Sequence, residues 1–239
     1  MKIKMFTLPN LLTLSNLLCG SFAAVAILED GNFTLAFWLV IVAAVCDFFD
    51  GFVARLLHCS SPIGGELDSL ADMVSFGLVP ALVAYRLFVQ SQISADIAPW
   101  IEYVGMFLCF TIVAFSALRL AKFNIDETQH TEFEGLPTPA NSLFFVSLGY
   151  IWANNQWMIG CWIALVALGM GWMLISPVRM FALKFKGFGW QGNQIRYIFI
   201  LMAVALVIAL KVYAVPAIIV LYILISTVRW CLSRSKDCK

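Results

Sequence analysis

The stretch VCDFFDGFVARLLHCSSPIGGELDSLAD, residues 45–72, decides how this chain folds. Two apolar segments meet there at a short polar turn, with aspartates on both sides of it. Asp47 and Asp50 are three residues apart near the end of the first segment, and Asp68 and Asp72 are four apart near the start of the second. Those are helical spacings, so each pair shares a helix face. The short connection makes the two helices an antiparallel hairpin, across which the carboxylates can meet.

The surrounding sequence says what medium the hairpin sits in. Of 239 residues, 62% are hydrophobic and 12% charged, with a mean hydropathy of +0.91. Soluble domains carry about 45–50% apolar and about 25% charged residues, so an ordinary soluble domain and a disordered chain are both excluded. A spanning helix needs roughly 20 residues. Apolar runs at 10–28, 33–55, 66–89, 98–121, 136–154, 157–176, 194–211 and 213–232 give about eight such helices. The fold class is therefore an all-α polytopic membrane helix bundle, one membrane-embedded domain over 1–239. With the N-terminus in the cytoplasm and alternating spans, Lys2, Lys4, Arg55, Arg119, Lys122, Arg179, Lys184, Lys186, Arg196, Arg229, Arg234, Lys236 and Lys239 face the cytoplasm. Only Arg86 and Lys211 face away, which satisfies the positive-inside rule and puts both termini in the cytoplasm. The basic start and Ala24-Val25-Ala26 imitate a signal peptide, but Pro9, Asn10, Thr13, Ser15 and Asn16 interrupt the apolar run, which reads as an uncleaved first span. Lys184, Lys186, Phe181, Phe185, Phe188 and Trp190 suit an interfacial loop. A net charge of +1 implies no nucleic-acid partner. The seven cysteines form no C-x-x-C pair and read as reduced, while His58 and His130 have no cysteine cluster for a zinc site.

Charged residues inside a membrane need a reason. Each aspartate costs roughly 2.5–3.5 kcal/mol on insertion scales, and Arg55 alone cannot balance the quartet. Hard divalent cations take oxygen ligands, and magnesium is commonly held by a few carboxylates plus substrate phosphates. Two such ions roughly 3.5–4 Å apart can clamp a phosphate during in-line displacement. Gly51 and Ala54 leave room for a bulky ligand against the helix, and Gly64 and Gly65 allow close backbone approach. A helix-packing face of small residues explains the glycines and the alanine but not the aspartates.

The pattern D-x-x-D-G-x-x-A-R-x8-G-x3-D-x3-D, carried by Asp47, Asp50, Gly51, Ala54, Arg55, Gly64, Asp68 and Asp72, resembles the signature of the CDP-alcohol phosphotransferases. That resemblance implies an integral-membrane transferase of phospholipid biosynthesis with a six-helix core (here about 10–176), followed by two additional C-terminal helices (about 194–232). It implies that Asp47, Asp50, Asp68 and Asp72 hold two Mg2+ or Mn2+ ions, with Asp72 also the catalytic base on the acceptor hydroxyl. Gly51 and Ala54 would contact the nucleotide of the CDP-linked donor, beside Asp47, Arg55, Thr13 and Asn16. By family precedent the assembly is a homodimer.

Two further stretches narrow the branch. Pro9 to Gly20, in which Thr13, Asn16 and Gly20 share a face, is similar to the first helix of bacterial phosphatidylserine synthases. Phosphatidylglycerophosphate synthases usually carry an arginine near Asn16, absent here. Arg119 to Asn124 and Phe133 to Ala140 resemble the same serine-accepting branch. The implied substrates are CDP-diacylglycerol and L-serine, within membrane lipids, at the bacterial inner membrane with the site facing the cytoplasm. Asp47 lies eight residues before Arg55, about 12 Å below the cytoplasmic helix end. Arg119 or Lys122 could hold the serine carboxylate, as a cationic fork matches a carboxylate; both also suit snorkelling anchors. Glu66 reads as a supporting partner or a helix N-terminal charge, and His130 as part of a solvated acidic loop with Asp126, Glu127, Glu132 and Glu134. Two alternatives stand beside this reading. One is the same transfer to glycerol 3-phosphate or inositol phosphate; the other is a divalent-cation transporter, since intramembrane aspartates also mark ion paths.

Overall fold

A computed structural model describes residues 6–59, 62–91, 99–125, 133–155, 162–181 and 193–237. The helices are α1 (Leu8–Leu28), α2 (Phe33–Leu56), α3 (Pro62–Asp72), α4 (Val79–Ser91), α5 (Pro99–Ile125), α6 (Thr138–Asn155), α7 (Trp162–Ile175), α8 (Gln194–Leu210) and α9 (Ala214–Asp237). A π-helical turn, Met73–Leu78, joins α3 to α4, so this pair runs as one bent rod. Each of the eight expected apolar runs carries a helix among its described residues, but only five helical segments among the described residues are long and apolar enough to cross a membrane. These are Leu8–Leu28, Phe33–Leu56, Ile63–Ser91, Trp100–Ile125 and Gln194–Arg234. The expectation of about eight spans is corrected on that measure. The reason is local: α7 has 14 residues, and α6, at 18, carries Asn141, Ser142, Ser147, Asn154 and Asn155 among its apolar positions. The fifth segment contains a chain reversal at Lys211 (φ 51°, ψ −120°), across which α8 packs back on α9.

The local sequence explains several joints. Thr7 caps α1 by accepting from the Asn10 N–H at 3.4 Å, with Pro9 in the first turn, where its missing N–H costs nothing. Asn32 caps α2 through the Leu35 N–H at 2.9 Å. The π turn lies just before Pro80. A proline lacks the N–H that would bond the carbonyl four residues back and its ring crowds that carbonyl, so the preceding turn widens. The Val79 N–H reaches the Val74 carbonyl instead, five residues back.

The core forms where α1, α2, α4, α5, α6 and α7 meet, around fully buried Ile27, Phe33, Phe76, Phe88, Ile112, Phe145 and Ile163. Phe33 meets Trp152 edge-on at 5.5 Å, joining α2 to α6. Outside this core, α9 packs on α6, and a ring cluster of Phe181, Phe199 and Tyr222 joins α9 to α8 and to the segment after α7.

One feature lay outside the all-helical expectation. Strands β1 (Phe133–Glu134) and β2 (Arg179–Met180) pair antiparallel, with Phe133 opposite Met180 and Glu134 opposite Arg179. They tie the start of α6 to the chain leaving α7. Gly135, at φ +77°, closes the joint by donating to the Val178 carbonyl at 3.0 Å. A Cβ there would strike the Leu174 carbonyl, so the turn requires glycine. The expected acidic loop with His130 and the basic-aromatic residues Lys184, Lys186, Phe185, Phe188 and Trp190 lie outside the described residues.

Candidate active site

The α2–α3 hairpin turns within five residues and brings its acidic faces together. One carboxylate oxygen each from Asp47, Asp50 and Asp68 lies within 4.8 Å of the others. Asp50 is buried and Asp47 and Asp68 are half-buried. Asp68 Oδ1 is out of solvent with no hydrogen-bond partner among the described residues. An all-oxygen set, with an unsatisfied acceptor in it, fits a hard divalent cation. Such an ion would be held by Asp47, Asp50 and Asp68.

Asp72 stands one turn beyond Asp68, buried and within electrostatic range of the other three. It is outside the group of three and is held by α1: Asn16 Nδ2 donates to Asp72 Oδ1 at 3.2 Å. One turn earlier on α1, Thr13 Oγ1 donates to Asp50 Oδ2 at 2.5 Å. The face shared by Thr13, Asn16 and Gly20 is thus turned to the carboxylates and to the π turn. Ser75 Oγ in that turn donates to the Asn16 carbonyl at 3.0 Å. Ser142 Oγ of α6 in turn donates to the Ser75 carbonyl at 3.3 Å. At Gly20 a Cβ would lie 2.8 Å from Ser75 Cα, so α1 can approach this closely only without a side chain.

Beside the carboxylates opens a cleft of about 240 Å3, lined by Pro9, Asn10, Thr13, Asp50, Gly51, Ala54, Cys59, Gly64, Gly65 and Asp68. Gly51, Ala54 and Gly64 therefore lie on one wall system with two of the aspartates. Arg55 is exposed at the end of α2, its guanidinium turned back beside Gly51. Glu66 and His58 are exposed, His58 in the turn between the helices.

The two basic candidates on α5 part company. Lys122 pairs with Glu134 of β1 at 2.7 Å on the surface, where the side chains are 54% and 36% exposed. Arg119 faces inward. Its Nη1 donates to Thr138 Oγ1 at 3.2 Å, its Nε is out of solvent, and Asp72 and Tyr222 lie within electrostatic range. Ser75, Ser142 and Tyr222 were missed in the sequence. Ser75 could have been suspected as one turn past Asp72, but Ser142 and Tyr222 reach the site only through tertiary packing.

Comparison with known proteins follows the same lines. Residues 6–176 match the family described as CDP-alcohol phosphatidyltransferase. A CDP-diacylglycerol–serine O-phosphatidyltransferase of Helicobacter pylori is 29% identical over 95% of this chain and 92% of its own length. The Bacillus subtilis protein of that name is 29% identical over 72% of this chain and 88% of its own length. The Methanocaldococcus jannaschii one is 32% identical, covering 74% of each. This match takes in well over half of the residues, the carboxylate hairpin and the α1 clamp among them, and the chain belongs to the CDP-alcohol phosphatidyltransferase family.

Proposed function

We propose that the chain transfers the phosphatidyl group of CDP-diacylglycerol to L-serine, giving phosphatidylserine and CMP. The observation that carries this is the set of three carboxylate oxygens within 4.8 Å, next to a cleft walled by Gly51, Ala54 and Gly64. Small residues there admit a flat nucleotide against the backbone. The three serine O-phosphatidyltransferases of comparable sequence support the acceptor.

In this reading Asp47, Asp50, Asp68 and Asp72 serve a two-ion Mg2+ or Mn2+ site, which supplies charge neutralisation for the pyrophosphate. Thr13 fixes the rotamer of Asp50 and Asn16 that of Asp72. Asp72 takes the proton from the serine hydroxyl as the hydroxyl oxygen bonds to the phosphatidyl phosphorus. The bond from that phosphorus to the bridging oxygen breaks, and CMP leaves with that oxygen. Arg119, rather than the surface-paired Lys122, receives the serine carboxylate. Arg55 and the cleft floor meet the nucleotide.

Several finer points belong to the same proposal. The helices cross a bacterial inner membrane with the site and both termini on the cytoplasmic side, as the thirteen-to-two distribution of basic residues favours. Residues 1–239 form one domain, with the core over about 10–176, and the protein works as a homodimer. The test is CMP release by the purified protein in CDP-diacylglycerol micelles, with serine, glycerol 3-phosphate or inositol phosphate added. Serine-dependent release that stops with chelator and returns with Mg2+ or Mn2+ is expected. Undiminished turnover in metal-free buffer refutes the metal site, and release driven only by another alcohol refutes the serine assignment.

A further inference from the structure

Asn141 is an anomaly in the interior. It lies in the first turn of α6, is wholly buried, and has no partner among the described residues for either Oδ1 or Nδ2. A buried amide left without any hydrogen bond is costly whichever way it is turned, so something beyond these residues satisfies it. Its neighbours say what. Thr138 is one turn earlier on the same face of α6 and holds the Arg119 guanidinium at 3.2 Å. The Nε of Arg119 is also out of solvent and unpaired among the described residues. Arg119 stands within electrostatic range of Asp72. On the other side, Ser142 ties α6 to the π turn and, through Ser75, to Asn16 beside Asp72.

We infer that Asn141 and Arg119 together form the acceptor pocket and select an α-amino acid bearing a hydroxyl. The Arg119 fork and Asn141 Nδ2 donate to the acceptor's carboxylate, and Asn141 Oδ1 accepts from its ammonium group. Both charges of the zwitterion are thus answered, with the hydroxyl left toward Asp72. An uncharged alcohol leaves the amide and the guanidinium unsatisfied, which is a stronger basis for rejection than a poor fit. This inference rests on the serine reading given above and names the residues that enforce it.

The experiment measures CMP release against serine concentration for the wild-type chain and N141A, in CDP-diacylglycerol micelles with Mn2+. N141A is expected to raise the serine KM at least tenfold and leave the CDP-diacylglycerol KM within twofold. N141D, which sets a negative charge against the carboxylate, is expected to raise it further. A second arm needs no variant: serinamide, which keeps the hydroxyl and amine but lacks the carboxylate, should be at least thirtyfold poorer than serine with the wild-type chain. A serine KM unchanged in N141A, or equal use of serinamide and serine, overturns the inference while the serine reading stands. A wild-type chain that releases CMP with glycerol 3-phosphate and not with serine overturns both.

Discussion

Replacing Thr13 with valine tests whether α1 belongs to the metal site or merely packs beside it. Valine keeps the shape of threonine and removes the hydroxyl. That hydroxyl has one proton and two acceptors in reach, Asp50 Oδ2 at 2.5 Å and the Pro9 carbonyl at 3.1 Å. The shorter contact is to a carboxylate, and charge-assisted bonds of this kind are the stronger ones, so the proton goes to Asp50. A hydrogen bond to a charged group contributes about 1.5–3 kcal/mol. If that orientation of Asp50 is what a cation needs, Thr13→Val weakens metal binding about 10–100-fold, the loss usual for groups that orient metal ligands. Two readouts apply: Mn2+ binding to the purified protein followed by its spin-resonance signal, and the Mn2+ concentration giving half-maximal CMP release. Thr13→Ser should restore both. A folded Thr13→Val protein with Mn2+ affinity within twofold of wild type refutes the role given to α1.

The other predictions are shorter. Asp47→Asn, Asp50→Asn and Asp68→Asn each remove a charged ligand and should abolish metal-dependent CMP release while the protein still inserts; Asp72→Asn should lower kcat about 10²–10⁴-fold, the usual range for a lost general base. Arg119→Lys keeps the charge but loses the planar fork, so the serine KM should rise about tenfold with CDP-diacylglycerol binding unchanged. Gly135→Ala forces a side chain into φ +77° and against the Leu174 carbonyl, and should cost more than about 1 kcal/mol in a denaturation series. Gly169→Ala, where a Cβ meets nothing within 4 Å on the exposed face of α7, should instead stabilise by about 0.5–1 kcal/mol.

The hairpin of aspartates could be read from spacing alone because both halves are helical and the turn between them is short. Helical period then fixes which side chains share a face, whatever the rest of the bundle does. The same logic fails for Arg119 and Lys122. They are three residues apart on α5, so the period puts them on one face and cannot choose between them. The choice is made by partners distant in sequence: Glu134 on β1 draws Lys122 to the surface, while Thr138 holds Arg119 inside. Tyr222 reaches the same region from a helix a hundred residues later, through the Phe181–Phe199 ring cluster. The β1–β2 bridge was illegible for a related reason, since two-residue strands carry no period. Apolar run length located the helices, but not which of them are long enough to cross a membrane.

The carboxylate cluster also explains why α1 approaches so closely. Carboxylates whose oxygens lie within 4.8 Å of one another repel when ionised. Between Asp68 and the two aspartates of α2 such repulsion tends to splay α2 from α3, whose link is only a short turn. Among the described residues no basic side chain pairs with Asp47, Asp50 or Asp68. Among the described residues α1 supplies one donor to each arm: the Thr13 hydroxyl to Asp50 of α2 and the Asn16 amide to Asp72 at the far end of α3. One helix therefore bridges both arms of the hairpin, and Gly20 lets it sit close enough to Ser75 to do so. Neutral donors can fix where the oxygens point but cannot cancel their charge. An arrangement that holds acidic groups together and leaves a buried acceptor open is consistent with a divalent-cation site between them.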